Sequence, residues 1–175
     1  MTTRIGVIAD THCPEFLDRL PKRVFTALQG VDLILHAGDI TSTPTLDALA
    51  SIAPVEAVRG DHDTNLKSLP SARELTVAGK RIVLVHGQRP RWVEVIVFGH
   101  THRAYVRKVD GTLLFNPGGV HQWNPTTATR RLAQHPGWFE WCWLQVARHM
   151  RRYESPSVGI LEIDEDGILP RIIGL

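Results

Sequence analysis

Residues 4–12 read RIGVIADTH, an apolar run that is followed at once by Asp10 and His12. A short run rich in Val and Ile is typical of a buried strand. The same order recurs four more times, and the polar residues that follow the later runs are Asp39, Asp61-His62-Asp63, His86, and His100 with His102. In α/β sheets, ligands bind beyond the carboxyl ends of the strands. Strand ends that share one chemistry therefore predict a single shared metal site.

The length and composition predict one globular domain, residues 1–175, that is large enough to bury a substantial core. The formal net charge of +2 gives no strong signal for nucleic-acid binding. Cys13 and Cys142 are too far apart in sequence for a zinc ribbon and suit a reducing compartment. We see no secretory signal and no run as long as a membrane span, so we expect a cytoplasmic protein without a transmembrane segment.

The first part of the chain alternates strands and helices, and the later part is rich in hairpins. The predicted strands are Arg4–Ala9, Leu33–His36, Val55–Val58, Leu75–Val77, Arg81–Val85, Val93–Phe98, Tyr105–Val109, Thr112–Phe115, Val158–Ile163 and Ile168–Ile172. Helices are predicted near Pro21–Gln29 and Pro44–Ser51, the second with Thr43 as its N-cap. This pattern favours an α/β fold with helices outside a two-layer sheet core.

Aspartate and histidine together suit the divalent first-row metals Mn, Fe, Co, Ni and Zn. The candidate ligands are Asp10, His12, Asp39, Asp61, His86, His100 and His102. These are too many for one tetrahedral ion but suit two ions, with a shared carboxylate holding them ~3.5–4 Å apart. We expect Asp63 to orient a neighbour rather than bind metal. We also expect Asn116-Pro117-Gly118-Gly119 to form a tight structural turn beneath the His100–His102 loop.

The order of these motifs resembles the calcineurin-like metallophosphoesterases, and in particular their small single-domain phosphodiesterase branch. The matching motifs are Asp10-Thr11-His12, Gly38-Asp39, Gly60-Asp61-His62-Asp63, His86-Gly87, Gly99-His100-Thr101-His102 and Asn116-Pro117-Gly118. The resemblance covers roughly residues 4–120 and resumes at 156–173. It implies a four-layer αββα sandwich and a phosphoesterase activity that depends on a binuclear metal centre.

The resemblance also implies which ligands bind each of the two metal ions. One metal would take Asp10, His12, Asp39 and His102. The other would take Asp39, His86, His100 and the residue at position 61, which is Asp61 in this chain. A hydroxide bridging the two ions would attack the phosphorus of a small phosphate ester, with diesters favoured over monoesters. His62 fits the position of a histidine that protonates the leaving group, and the alternative is a solvated loop histidine.

The sequence departs from the family pattern in three places. Asp61 stands where the family usually has Asn, which adds a negative charge and predicts altered activity or metal preference. The connection Gly87–Trp92 is too short for the usual crossover helix. An insertion at about 121–155 carries four tryptophans and a predicted amphipathic helix, Trp138–Tyr153. Without the crossover helix, part of the sheet would be left uncovered. We expect the helix Trp138–Tyr153 to pack over that uncovered face, either in its own chain or in a partner subunit of a homo-oligomer. A lid and a membrane-surface helix are the alternatives.

The sequence therefore predicts a phosphoesterase with two divalent metal ions, manganese among them, and a small phosphate-ester substrate. Two alternatives follow from the departures. One is a catalytically weakened scaffold that acts through protein contacts, as the retromer scaffold subunit of similar fold does. The other is a protein that binds metal or a nucleotide without turnover. No residue pattern selects the physiological substrate.

Overall fold

The computed structural model describes residues 2–87, 93–121, 129, 133, 137–138 and 155–175. Within these residues, ten strands form two five-stranded sheets, and two helices lie outside one of them. The predicted α/β class is confirmed. No helix among the described residues is long and apolar enough to cross a membrane.

The first sheet has the order β10-β9-β1-β2-β3. Its strands are β1 (Thr3–Ile8), β2 (Leu33–His36), β3 (Val55–Ala57), β9 (Ser157–Ile163) and β10 (Ile168–Gly174). Strands β1, β2 and β3 are parallel, and the β9–β10 hairpin joins β1 in antiparallel pairing. The last four residues of β1 are all buried, as expected for a strand covered on both faces.

The second sheet has the order β4-β5-β6-β8-β7. Its strands are β4 (Ala72–Val77), β5 (Lys80–Val85), β6 (Val95–Val97), β7 (Ala104–Val109) and β8 (Thr112–Pro117). Strands β5, β6 and β8 are parallel, and the hairpin partners β4 and β7 form the two edges. Strands β5 and β6 pair in parallel although the connection between them is short. Residues 88–92 of their connection lie outside the described residues.

The two sheets pack face to face, and the main core lies between them. Val7 and Leu35 of the first sheet meet Leu84, Val97 and Phe115 of the second, and all five are fully buried. Because a Cβ at Gly159 would overlap the ring of Phe115, only glycine lets β9 approach this aromatic side chain so closely.

Two helices cover the outer face of the first sheet. Helix α1 spans Lys22–Ala27 and helix α2 spans Thr43–Ala50. The N-cap prediction was wrong by one residue, because Ser42, and not Thr43, is the extended residue that precedes α2. The Ser42 hydroxyl donates to the carbonyl of Cys13 at 2.7 Å instead of capping the helix. Cys13 is buried beneath this contact, as expected for a small filler.

The described residues supply three of the four expected layers: helices, first sheet and second sheet. The outer face of the second sheet carries a smaller apolar cluster that includes Val83, Val85 and Val93. The predicted helix at 138–153 falls outside the described residues except for Trp138, whose side chain is 78% exposed. Its packing over the sheet and its role as a subunit contact stay predictions.

Candidate metal centre

The predicted site residues lie where strands of both sheets end. Asp10 follows β1, Asp39 follows β2, His86 follows β5 and His100 follows β6. Backbone hydrogen bonds tie the loops together, since Asp10 N donates to Gly38 O and His12 N donates to Asp39 O, both at 3.0 Å. The N–H of His100 donates to Oδ1 of Asp10 at 3.1 Å, which joins the second sheet to the first.

The structure brings the seven candidate ligands into two adjacent groups. The ligand atoms of Asp10, His12 and His102 lie within 4.8 Å of one another, and so do those of Asp61, His86 and His100. Asp39 lies between the groups, because its Oδ2 is 3.5 Å from Nε2 of His12 and 3.4 Å from Nε2 of His86. This is the arrangement expected of a carboxylate shared by two ions.

The donor set fits divalent cations. Oδ2 of Asp10, Nε2 of His12 and Nε2 of His86 are buried without a hydrogen-bond partner. Buried polar atoms of this kind cost free energy unless a partner satisfies them. The Nδ1–H of His86 donates to the carbonyl of Ala37 at 2.7 Å. A bond of this kind at Nδ1 leaves Nε2 as the nitrogen that can bind a metal.

Two carboxylates buried side by side shift the protonation equilibria of the site. Burial, together with the negative charge of Asp39, raises the pKa of Asp10 to about 7. Burial would also raise the pKa of Asp39, but His86, the His62 N–H and His12 outweigh it and lower that pKa below its usual range. Burial would lower the pKa of His86, yet the contact with Asp39 raises it to about 9. Positive charge beside these carboxylates is therefore favourable, and bound cations would supply it.

Five of the seven candidate ligands have left-handed backbone conformations. They are Asp10, His12, Asp39, His100 and His102, with φ between 46° and 67°. Such conformations are uncommon for residues other than glycine and concentrate at functional sites. Neighbouring glycines make the turns possible: a Cβ at Gly38 would lie 2.7 Å from Nδ1 of His86, and one at Gly60 would overlap the Asp39 carboxylate.

The two ligand groups differ in their exposure to solvent. Asp10 and His12 are buried, and the His102 side chain is only 14% exposed. In the other group His86 is buried, but the side chains of His100 and Asp61 are 56% and 72% exposed. Asp61 Oδ2 lies 3.1 Å from His100 Nδ1. One half of the site is therefore enclosed and the other is open to solvent.

Asp63 behaves as the sequence predicts, whereas Asn116 supports the site from the end of strand β8 and not from the predicted tight turn. Asp63 is fully buried and accepts hydrogen bonds from the backbone N–H groups of Ile40, Thr41 and Gly60 at 2.7–2.8 Å. It therefore orients the loop that carries Asp39. Asn116 is also fully buried, and its side-chain amide donates to the carbonyl of Gly99 at 2.9 Å. This bond fixes the His100–His102 loop from below.

His62, the candidate proton donor, lies at the edge of the enclosed group. Its backbone N–H donates to Oδ1 of Asp39 at 2.9 Å, and its imidazole is partly exposed. The ring of His12 lies edge-on to it, with 4.7 Å between the centroids.

Sequence reasoning missed two residues of this cluster, Glu15 and His121. Oε2 of Glu15 lies 2.9 Å from Nδ1 of His62 and 3.2 Å from Nδ1 of His12. Although burial would raise the pKa of Glu15, the two imidazoles lower it to about 2. The carbonyl of His121 accepts a hydrogen bond from His102 Nδ1 at 2.8 Å, and its buried ring stacks on Phe16. Neither residue directly follows an apolar strand run, so the strand-end pattern could not identify them.

Comparison with known proteins identifies the family. The sequence profile of the calcineurin-like phosphoesterase superfamily domain matches residues 3–134. This chain belongs to that superfamily. A probable metallophosphoesterase of Methanothermobacter thermautotrophicus is 38% identical over 129 residues, which cover 65% of this chain and 75% of that protein. All seven candidate ligands of this calcineurin-like phosphoesterase domain lie inside the matched range.

Solved structures share the fold across 99% of the chain. Vacuolar protein sorting 29 from Cryptosporidium parvum superposes with a TM-score of 0.72 at 19% identity, and 92% of that chain is covered. A structure described as a novel archaeal phosphodiesterase superposes with a TM-score of 0.66 at 19% identity, and all of that chain is covered. At 19% identity, the similarity to these two structures establishes only that the chain shares their fold.

Proposed function

We propose that this chain is a metal-dependent phosphoesterase that hydrolyses small phosphate esters, with diesters preferred. One observation carries the proposal: three buried ligand atoms, on Asp10, His12 and His86, lack hydrogen-bond partners beside the Asp39 carboxylate. A site built only for stability would satisfy these atoms with protein groups. Superfamily membership and the archaeal phosphodiesterase of the same fold support the choice of reaction.

In this proposal Asp10, His12, Asp39 and His102 hold one divalent cation. Asp39, Asp61, His86 and His100 hold a second one. The mixed carboxylate and imidazole donors suit Mn, Fe, Co, Ni or Zn. When bound, two such cations acidify water and neutralise charge on phosphate oxygens.

The chain's own contribution to the reaction is to hold the ligands and to supply a proton. His62 stands beside Asp39 at the edge of the enclosed group, and its side chain is 29% exposed, so its imidazole is accessible to an ester from solvent. An imidazole titrates near neutral pH and can protonate a leaving oxygen as the P–O bond breaks. The alternative for His62 is a solvated loop residue with no part in the reaction.

The test is hydrolysis of bis-p-nitrophenyl phosphate and p-nitrophenyl phosphate with Mn, Ni, Co, Zn or Mg, with bound metal measured on the same samples. We expect up to two ions per chain and metal-dependent turnover that is faster on the diester. The matched control is Asp47→Asn, which removes an exposed carboxylate from helix α2 and should change neither result. Absence of turnover with every metal would refute the proposed activity.

A scaffold function is the second candidate, and one observation favours it. Asp61 and His100, which belong to the second ligand group, are more than half exposed and pair with each other. Vacuolar protein sorting 29 shares the fold. Full metal occupancy without hydrolysis of either ester would favour this candidate over the enzyme.

A further inference from the structure

Glu15 sits in the turn that leaves the first ligand loop. This turn is closed by a hydrogen bond from Phe16 N to His12 O at 2.8 Å. The Glu15 side chain is only 20% exposed, and its carboxylate points back toward the ligands. It lies three residues after His12 and far in sequence from His62, so the fold alone brings these three side chains together.

One carboxylate contacts two imidazoles at the same ring position. Oε2 of Glu15 is 3.2 Å from Nδ1 of His12, and both of its oxygens lie within 3.1 Å of Nδ1 of His62. An ionised carboxylate can only accept hydrogen bonds, so both Nδ1 atoms must be the donors. Glu15 therefore keeps a proton on Nδ1 of both rings, so that Nε2 is the nitrogen of each ring that can act on another group.

The two rings that Glu15 contacts have different surroundings. Nε2 of His12 is buried, lies 3.5 Å from Asp39 and has no hydrogen-bond partner. The imidazole of His62 is partly exposed at the edge of the cluster. The same carboxylate thus turns one ring toward the candidate metal site and fixes the other at its entrance.

We infer that Glu15 is a positioning residue that couples a metal ligand, His12, to the proton donor, His62. The inference rests on the proposed phosphoesterase function. During hydrolysis, the bond from phosphorus to the leaving oxygen breaks as a water oxygen bonds to phosphorus. His62 donates from its imidazolium form: the Nε2 proton passes to the leaving oxygen, and the Nδ1 proton stays with the ring beside the ionised Glu15. The attacking water releases one proton to solvent, from which Nε2 is protonated again. The proton donor and the metal site are then aligned by one side chain.

The inference predicts two separate defects in Glu15→Gln, which keeps the size of the side chain but loses the second acceptor oxygen. The affinity for Mn²⁺, measured by calorimetry, should fall roughly 10-fold, as is typical when the partner of a metal-binding histidine is removed. Turnover of diphenyl phosphate at saturating Mn²⁺ should fall about 10-fold more than turnover of bis-p-nitrophenyl phosphate. Phenolate is a poorer leaving group than p-nitrophenolate, so its departure depends more on protonation.

A double-variant comparison separates positioning from general destabilisation. In the His62→Ala background, Glu15→Gln should lower Mn²⁺ affinity but leave the ratio of the two turnover rates unchanged. Glu15→Asp should recover part of that ratio in the wild-type background. Asp18→Asn, which removes an exposed carboxylate from the same loop, is the matched control and should change neither readout.

Imidazole ¹⁵N shifts of the Zn²⁺-loaded protein give a readout that does not depend on turnover. At alkaline pH, where an imidazole is neutral, we expect the His62 proton on Nδ1 in the wild type and a mixture of tautomers in Glu15→Gln. Unchanged His62 tautomers, or an unchanged Mn²⁺ affinity, in that variant would overturn the inference. So would a third bound metal ion that is lost with Glu15. If the wild type binds metal but hydrolyses no ester, the proposed function fails while the affinity and the shifts still test the role of Glu15.

Discussion

Replacing Asp63 with Asn should destabilise the fold far more than the same change at Asp61, two residues earlier. Asp63 is fully buried, and its two oxygens accept three backbone N–H groups, two on Oδ1 and one on Oδ2. An asparagine oxygen can keep the Oδ1 pair from Ile40 and Thr41. Its amide group would then face the N–H of Gly60, which is also a donor, so that bond must be lost.

The expected loss in the free energy of unfolding is about 1.5–3 kcal/mol, the usual net contribution of one hydrogen bond to a charged group. For a chain of this size such a loss lowers the melting temperature by roughly 3–12 °C. Asp61 is 72% exposed, so Asp61→Asn should stay within about 0.5 kcal/mol of the wild type.

Urea unfolding in the presence of EDTA measures both variants without any contribution from bound metal. The comparison is well matched, because the two residues share a loop and undergo the same chemical change. Equal stabilities of Asp63→Asn and Asp61→Asn would show that the three backbone contacts do not hold the Asp39 loop, and would refute the reasoning.

Three further predictions concern charge and protonation. Asp39→Ala should lose metal and turnover together, and full turnover with two bound ions in that variant would contradict the proposed site. Asp61→Asn removes one negative charge, so metal retention on dialysis should weaken while turnover at saturating metal stays equal or rises; a large loss of that turnover would show that the carboxylate is required. Burial lowers the pKa of His36 to about 3, so the unfolded chain takes up a proton first as the pH falls below about 6.5. Between about pH 7.5 and 5.5 in EDTA, His36 should therefore lower the free energy of unfolding of the wild type by about 1.4 kcal/mol. In His36→Gln, the free energy of unfolding measured with urea should change less over this pH range, by the same amount.

Much of the site was predictable because parallel strands place their carboxyl ends at one edge of a sheet. Asp10, Asp39 and His86 directly follow buried apolar runs, and the fold brings them together. The same logic located Asp63 as an orienting residue. Its bond with the N–H of Gly60 is local, but its bonds with those of Ile40 and Thr41 span 23 and 22 positions of sequence and follow only from the fold.

Contacts made by loops were not predictable in this way. Glu15 reaches His62 across 47 positions of sequence because a turn folds it back over His12, and no periodicity encodes that turn. His121 acts on His102 through its backbone carbonyl, which any residue type supplies. Ser42 precedes helix α2 without capping it, and its hydroxyl donates instead to the Cys13 carbonyl, a tertiary contact that local capping preference does not include.

The strained backbone and the unsatisfied atoms of the site point to a coupling between metal binding and the packing of the two sheets. Left-handed conformations at residues other than glycine cost on the order of 1–3 kcal/mol each, and five candidate ligands adopt them. Asp10 and Asp39 come from the first sheet, whereas His86 and His100 come from the second. Cations bound across this junction would satisfy atoms from both sheets at once. Such binding favours the folded state over the unfolded one. It would therefore offset the free-energy cost of the strained conformations in the loops that carry the ligands.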